Sequence, residues 1–319
     1  MSILISGTLA YDYIMDFPDS FKNHILPDHI HMLNVSFMVQ KLQKNIGGTG
    51  GNIAYTMKLL LGDPIIVGAL GSDDEEYRSY LDAQQIKTTH ISISKNVLTA
   101  SAYITTDKDD NQITAFYPGP SSEAVKLHIQ DVKEKLDLII IGPTDKSVMI
   151  QHSKEAYEQK IPIVFDPGQA VIAFSEQELA MLVGQAKIVI GNDYEMKIIE
   201  DRTGWNSEQL LDHAEIVITT LGERGSLIRT KDEYLTIEPC PPTSVEDPTG
   251  AGDSYRAGFF TAYVNGHNLK TCGQVGSVCA TYAVEHYGTQ KHIFTKAEFV
   301  KRYEETYGET VELIETSQN

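Results

Sequence analysis

Cysteine is scarce in this 319-residue chain. Cys240, Cys272 and Cys279 are odd in number, and they form neither a CxxC pair nor a Cys/His ligand spacing, so no disulfide framework is expected and reduced thiols are. Basic residues are also few: 26 Lys and Arg stand against 44 Asp and Glu, a net charge of −18. That balance opposes nonspecific attraction to nucleic acid or to an anionic membrane. It leaves anionic ligands open, because backbone amides at helix N-termini hold phosphate without basic side chains. No apolar run approaches the roughly 18 residues needed to cross a bilayer, and the opening MSILISGTLA has no basic n-region, so a cytoplasmic protein is the expectation. A Walker A loop and a GxGxxG loop are both missing, which removes the two commonest nucleotide-binding turns. Internal repeats, low-complexity tracts and linker-like Pro/Gly/Ser stretches are absent too, so residues 1–319 read as one domain.

What is present is an ordinary globular composition, 41% apolar and 22% charged. Short β-branched runs at Ser2–Ser6, Ile65–Ala69, Asp137–Ile141, Pro162–Phe165, Ala186–Ile190 and Glu215–Thr220 read as strands buried on both faces of a parallel sheet. Helical patterns fill the gaps at Asn52–Leu61, Glu75–Gln84, Val148–Gln159, Glu176–Val183, Glu195–Asp201 and Ser207–His213. Ala251–Val264, Leu269–His286 and Thr295–Tyr307 follow. The predicted fold is α/β, a doubly wound, mainly parallel sheet flanked by helices. Asn34–Val39, Ala100–Thr106 and Gln112–Tyr117 alternate differently and, with Tyr11–Phe17, predict a small β-sheet inserted over residues 11–43 and 98–118. Such a sheet can act as a lid over the carboxyl edge of the main sheet, where ligands bind in open α/β folds, or can be an ordinary antiparallel edge.

The most informative run is Asp247-Pro248-Thr249-Gly250-Ala251-Gly252-Asp253. Two glycines let the backbone turn closely around a ligand, and the following helix aims free amides at it, which describes an anion site. Asp253, in the first helical turn, can accept a proton from a hydroxyl or can simply cap the helix. A second glycine run, Gly47-Gly48-Thr49-Gly50-Gly51-Asn52, precedes a helix about two hundred residues earlier. Its small residues allow a ligand to lie against the backbone, and Asn52 offers a donor and an acceptor. Alone, such a turn is as well read as a tight connection. Asn192-Asp193-Tyr194-Glu195 puts two oxygen-bearing side chains on one helix face and is equally a capping box. Thr220-Leu221-Gly222-Glu223-Arg224-Gly225 closes a strand and is also a plausible hairpin turn. His29 and His31 have a metal-like spacing, but without a matching Cys, Asp or Glu set they read as a solvated loop.

Together these motifs, in this order, resemble the PfkB or ribokinase-like kinases, whose DTxGAGD signature reads DPTGAGD here. The resemblance spans Gly7 to Gly288 and implies ATP-dependent phosphorylation of an alcohol. It makes Asp253 the catalytic base and Gly250, Ala251 and Gly252 an anion hole for the transferring phosphoryl group. Asp12, Gly47, Gly48 and Asn52 would hold sugar hydroxyls. Asn192 and Glu195 would orient the water shell of Mg²⁺ and the ATP phosphates, and Thr220, Gly222 and Gly225 would line the ATP ribose and phosphates. Ala283, His286 and Gly288 would lie near adenine, although helical packing accounts for them equally. Potassium activation occurs in some relatives, and Asp247 and Thr249 would be near such a site. The lid stretches around Phe37 and Phe116 resemble those of prokaryotic adenosine kinases, with aromatic rings on which a purine can stack or which can pack the lid on itself. Phe116 and Tyr117, being adjacent on a strand, cannot both face the ligand. The expected activity is phosphorylation of the 5′-hydroxyl of adenosine or a related nucleoside, a purine-salvage reaction. A ribokinase- or fructokinase-like sugar kinase and a non-catalytic metabolite-binding protein are the alternatives. The partners expected are small molecules, with a homodimer through the lids allowed by the resemblance.

Overall fold

The computed structural model describes residues 2–25, 34–109 and 111–313. His29 and His31 lie outside them. The elements are β1 (Ser2–Ser6), β2 (Ala10–Asp16), β3 (Lys41–Gly47), α1 (Thr49–Leu59), β4 (Asp63–Leu70), α2 (Asp74–Ala83), β5 (Ile91–Ile93), β6 (Ala100–Thr106) and β7 (Gln112–Tyr117). They continue with β8 (Leu138–Ile141), α3 (Lys146–Glu158), β9 (Ile163–Phe165), α4 (Glu176–Gln185), β10 (Ile188–Asn192), α5 (Asp193–Thr203), α6 (Ser207–Leu210) and β11 (Ile216–Thr220). After β12 (Ser226–Arg229) and β13 (Tyr234–Ile237) come α7 (Ala251–Val264), α8 (Leu269–Val284) and α9 (Lys296–Tyr307).

Among the described residues the main sheet has nine strands in the order β13-β12-β11-β10-β9-β8-β1-β4-β5. It is parallel from β11 to β5, and β12 and β13 extend it antiparallel. Alternation along the strands separates two cores. Ile3, Ile5, Leu138, Ile140, Ile188 and Ile190 pack with α1, α7 and α8 on one face. Leu4, Ile139, Ile141, Ile163, Phe165 and Val189 pack with residues of α3, α4 and α5 on the other. The chain leaves β1 toward β4 and later returns to β8 on its opposite side, so the carboxyl ends of β1 and β8 form the switch point at which an open α/β sheet binds ligands.

The second sheet has the order β3-β2-β6-β7. Its third expected strand is displaced. Residues 34–39 are not in a strand, and the ladder with β2 begins where Gln40 donates its amide to Asp16, then runs from Lys41 opposite Asp16 to Gly47 opposite Ala10. Lys41-Leu42-Gln43-Lys44 has little apolar alternation because this part of the strand is largely exposed and only its end, at Ile46, joins the main core, so periodicity pointed to the wrong segment. The lid therefore extends past residue 43 to Gly47. No helix among the described residues is long and apolar enough to cross a membrane.

Helices α7 and α8 cross at backbone contact. A Cβ on Gly258 would lie 2.8 Å from Cys279 Sγ and from the Val275 carbonyl, and one on Gly276 would lie 2.8 Å from the Tyr255 carbonyl. Substituting Gly258→Ala must push the helices apart, so we expect a loss of about 1–3 kcal/mol, read as a lower midpoint in denaturant unfolding at unchanged slope.

Candidate active site

Helix α7 begins at Gly250, whose φ of 80° is a left-handed conformation that favours glycine. No side chain caps it, and the Gly252 and Asp253 amides have no protein acceptor among the described residues, so both remain available to an anion. A Cβ on Gly250 would meet the Thr289 methyl at 3.1 Å, so glycine also lets this turn press against residues 288–290.

Asp253 is partly buried beside this turn and accepts a 2.7 Å hydrogen bond from Asn52 Nδ2. Burial pushes its carboxyl up to about 7, with Asn52 and Arg256 opposing the rise and Asp166 and Asp12 adding to it. Asn52 lies on α1 and receives at Oδ1 a 2.9 Å bond from Gln290 Nε2. The two glycine runs, far apart in sequence, thus meet through one Asn–Asp hydrogen bond.

The glycines before α1 make room for the protein itself. A Cβ on Gly47 would sit 2.0 Å from Asp12 Oδ2, one on Gly48 2.6 Å from the Thr8 carbonyl, and one on Gly51 2.1 Å from Tyr77 Oη. Pressure from β1–β2, Asp12 and Tyr77 alone requires these positions to be small, a demand that is compatible with a ligand lying against the same backbone.

Asp12 is buried on β2, and Thr289 Oγ1 donates to its Oδ2 at 3.1 Å. Burial raises its carboxyl to about 6, Thr289 lowers it and Asp247 raises it further. Asp12 pairs across the lid with Ala102, and Ala102 with Phe116, so Phe116 shares the face of Asp12. Tyr117 aligns with Ser101 and Tyr11 on the opposite face. Phe37 lies elsewhere. Its ring packs 4.9 Å from Phe17 and 5.0 Å from Phe21, beyond the far end of β2 from Asp12.

On the other side of α7, Asn192 and Thr220 are register partners at the ends of β10 and β11. The Thr220–Gly225 turn closes the antiparallel hairpin to β12, with Gly222 and Gly225 at positive φ, and Arg224 is 3.0 Å from Asp193. Hairpin and ligand loop are therefore compatible descriptions of this turn. Asn192 and Glu195 form a reciprocal capping box. Glu195 is buried, which raises its carboxyl against the pull of Arg256, 3.9 Å away. Ala283 is buried in the last turn of α8, and His286 Nδ1 faces the Tyr282 carbonyl at 2.9 Å. Gly288 parts from them: its amide donates to Asp247 Oδ2 at 3.0 Å, and a Cβ on it would lie 3.0 Å from the side chain of lid residue Asn45. The other oxygen of Asp247 accepts the Thr249 amide.

Several residues here escaped the motif reading. Arg256 stands three residues after Asp253, and an arginine on a helix otherwise fit for burial was the available signal. It pairs with Asp166 at the end of β9, Nη2 to Oδ1 at 2.7 Å, and its Nη1 donates to the Gly252 carbonyl at 3.1 Å. Thr289 and Gln290 carried no signal, because their roles exist only once the segment after α8 reaches the lid.

The match to the family model for pfkB family carbohydrate kinases spans residues 20–296. A nucleoside kinase of Methanocaldococcus jannaschii is 32% identical over 303 residues, covering 93% of this chain and 95% of the relative. The structure of Burkholderia thailandensis nucleoside kinase in complex with inosine superposes with a TM-score of 0.91 at 35% identity, covering 97% of this chain and 99% of the other. Its ADP-inosine complex gives 0.89 at 35% identity, covering 99% of each chain.

Asp253 and Asp12 have native pKa values above the unfolded carboxylate value near 3.8, so the native state holds their protons longer. Their contribution to stability is greatest below about pH 4 and is lost as pH rises through about 6 and 7. Asp253→Asn should flatten the fall in thermal midpoint between these limits, and an unchanged slope would contradict the assignment.

Proposed function

The chain belongs to the pfkB family of carbohydrate kinases, and from that premise we propose that it transfers the γ-phosphoryl group of ATP to the 5′-hydroxyl of adenosine or a related nucleoside. The observation that carries the reading is the Asn52–Asp253 hydrogen bond, which sets a carboxylate poised near neutrality beside the free amides of α7. Asp253 takes the hydroxyl proton as the oxygen attacks phosphorus, and the Gly252 and Asp253 amides stabilise charge on the transferring group, an effect worth roughly two to three decades of rate per donor. Asp12 and Asn52 hold the ribose hydroxyls. Phe116, on the face of Asp12, offers its ring to the base, whereas Phe37 supports the lid from within its aromatic cluster.

ATP lies along Asn192, Thr220, Gly222 and Gly225, with Ala283 and His286 beside its base. Among the described residues no three His, Cys, Asp or Glu side chains converge to hold an ion. Mg²⁺ would be held by phosphate oxygens and water, with the oxygen-bearing side chains of Asn192 and Glu195 at the β10–α5 junction outside its water shell. When bound, the ion neutralises phosphate charge. Nucleosides are favoured over free sugars by the relatives solved with inosine and by the aromatic lid face.

ADP release from Mg-ATP should be fastest with a purine nucleoside among adenosine, inosine, cytidine, ribose and fructose, and Asp253→Asn should lower kcat by two decades or more. Preference for a sugar would overturn the acceptor, and a fully active variant would remove the base. In the wild type, kcat/KM should fall below about pH 7 as Asp253 gains its proton.

The outer lid face stacks Tyr13 on Tyr103 and leaves Leu42 and Ile113 exposed, which supports pairing of two lids. Sedimentation should give a dimer that Leu42→Lys with Ile113→Lys converts to monomer, and a wild-type monomer would end this part of the reading.

A further inference from the structure

Tyr77, Gln290 and Asn52 are gathered behind Asp253, and a backbone carbonyl fixes the first of them. Tyr77 Oη donates its only hydrogen to the Gly47 carbonyl at 2.6 Å. Toward Gln290 that hydroxyl can therefore only accept. Gln290 Nε2 stands near it, and this donor lowers the otherwise strongly raised Tyr77 hydroxyl. A Cβ built on Gly51 would touch both groups, Tyr77 Oη at 2.1 Å and Gln290 Nε2 at 3.0 Å. Gln290 Nε2 donates to Asn52 Oδ1 at 2.9 Å. Asn52 must then turn its Nδ2, a donor, to Asp253 Oδ2 at 2.7 Å.

The protein tolerates costs to keep this order. Gln290 has a positive φ of 56°, rare for a residue with a side chain, and its Oε1 is buried without a partner among the described residues. Tyr80 Oη holds its main-chain carbonyl at 3.1 Å. Both costs are located where the amide orientation of Asn52 is decided.

We propose that Gln290 and Tyr77 are positioning residues that lock the Asn52 amide with its donor toward Asp253, so that the carboxylate is kept as a proton acceptor and held in one orientation. Neither touches the reacting atoms. Released from Gln290, Asn52 can present its oxygen to Asp253 instead, which favours the protonated acid. The other groups facing Asp253 are Arg256 on its own helix, which favours the charged form, and Asp166 and Asp12 from β9 and β2, which oppose it. None of these is altered by the substitutions below, and Gln290→Met, which adds no charge, must raise the midpoint as well, since the carboxylate introduced by Gln290→Glu raises it directly.

Consequences for turnover rest on Asp253 being the base proposed above, so the test reads the carboxyl directly as well. In protein labelled with carboxyl-¹³C aspartate, the Asp253 resonance is the one missing from Asp253→Asn. Its midpoint should rise by about one pH unit in Gln290→Glu, the equivalent of one hydrogen bond, and by less in Tyr77→Phe. The acid limb of kcat/KM should move with it and activity should recover at high pH, whereas merely structural damage would lower activity at all pH values. An unmoved midpoint in folded Gln290→Glu overturns the proposal. If that variant does not fold, an unmoved midpoint in Tyr77→Phe does so. A moved midpoint with a stationary acid limb would count against Asp253 as base and leave the positioning chain standing.

Discussion

The site depends on one buried cation. Arg256 lies three residues past Asp253, is only 6% exposed, and pairs with Asp166, which is 1% exposed. A guanidinium taken out of water needs its charge matched and its donors filled, and Arg256 meets this with Asp166, the Gly252 carbonyl and nearby Glu195. The pair bolts the first turn of α7 to the carboxyl end of β9. It places the free amides of Gly252 and Asp253 at the sheet edge beside the β10–α5 junction, where Asn192 and Glu195 cap each other. Truncating either partner would leave a charge uncompensated, which typically costs about 3–5 kcal/mol.

Around that cation the protein gathers acids. Asp166, Glu195 and Asp253 face it, with Asp12 near Asp253 and Asp247 near Asp12, along a region that in the proposed reading receives triphosphate. Three of these carboxyls, Asp253, Asp12 and Glu195, are raised by burial, and Asp247 is satisfied by backbone amides. Attraction for phosphate is left to amides and to the metal that arrives with it, consistent with a chain of net charge −18. The segment Gly288-Thr289-Gln290 joins the two halves of the site: Gly288 meets the lid at Asn45, Thr289 reaches Asp12, and Gln290 reaches Asn52.

The sequence by itself determined the parallel core, because β-branched runs buried on both faces leave a continuous apolar signal, and strands such as Ser2–Ser6 and Glu215–Thr220 were legible to within a residue. It also determined the glycine turns and the helix after Gly250, whose requirements are local. The lid was only partly legible. Lys41–Gly47 is a strand because β2 pairs with it, and its exposed first half imposes little apolar alternation. Only the tertiary structure decided which lid aromatic shares the face of Asp12, since that follows from the register Asp12, Ala102, Phe116. Only it revealed that Gly47, Gly48 and Gly51 make space for protein atoms, and that Arg256, Thr289 and Gln290 belong to the site. Their partners lie between 90 and 277 residues away along the chain, and a hydrogen bond across that distance leaves no period in the sequence to read.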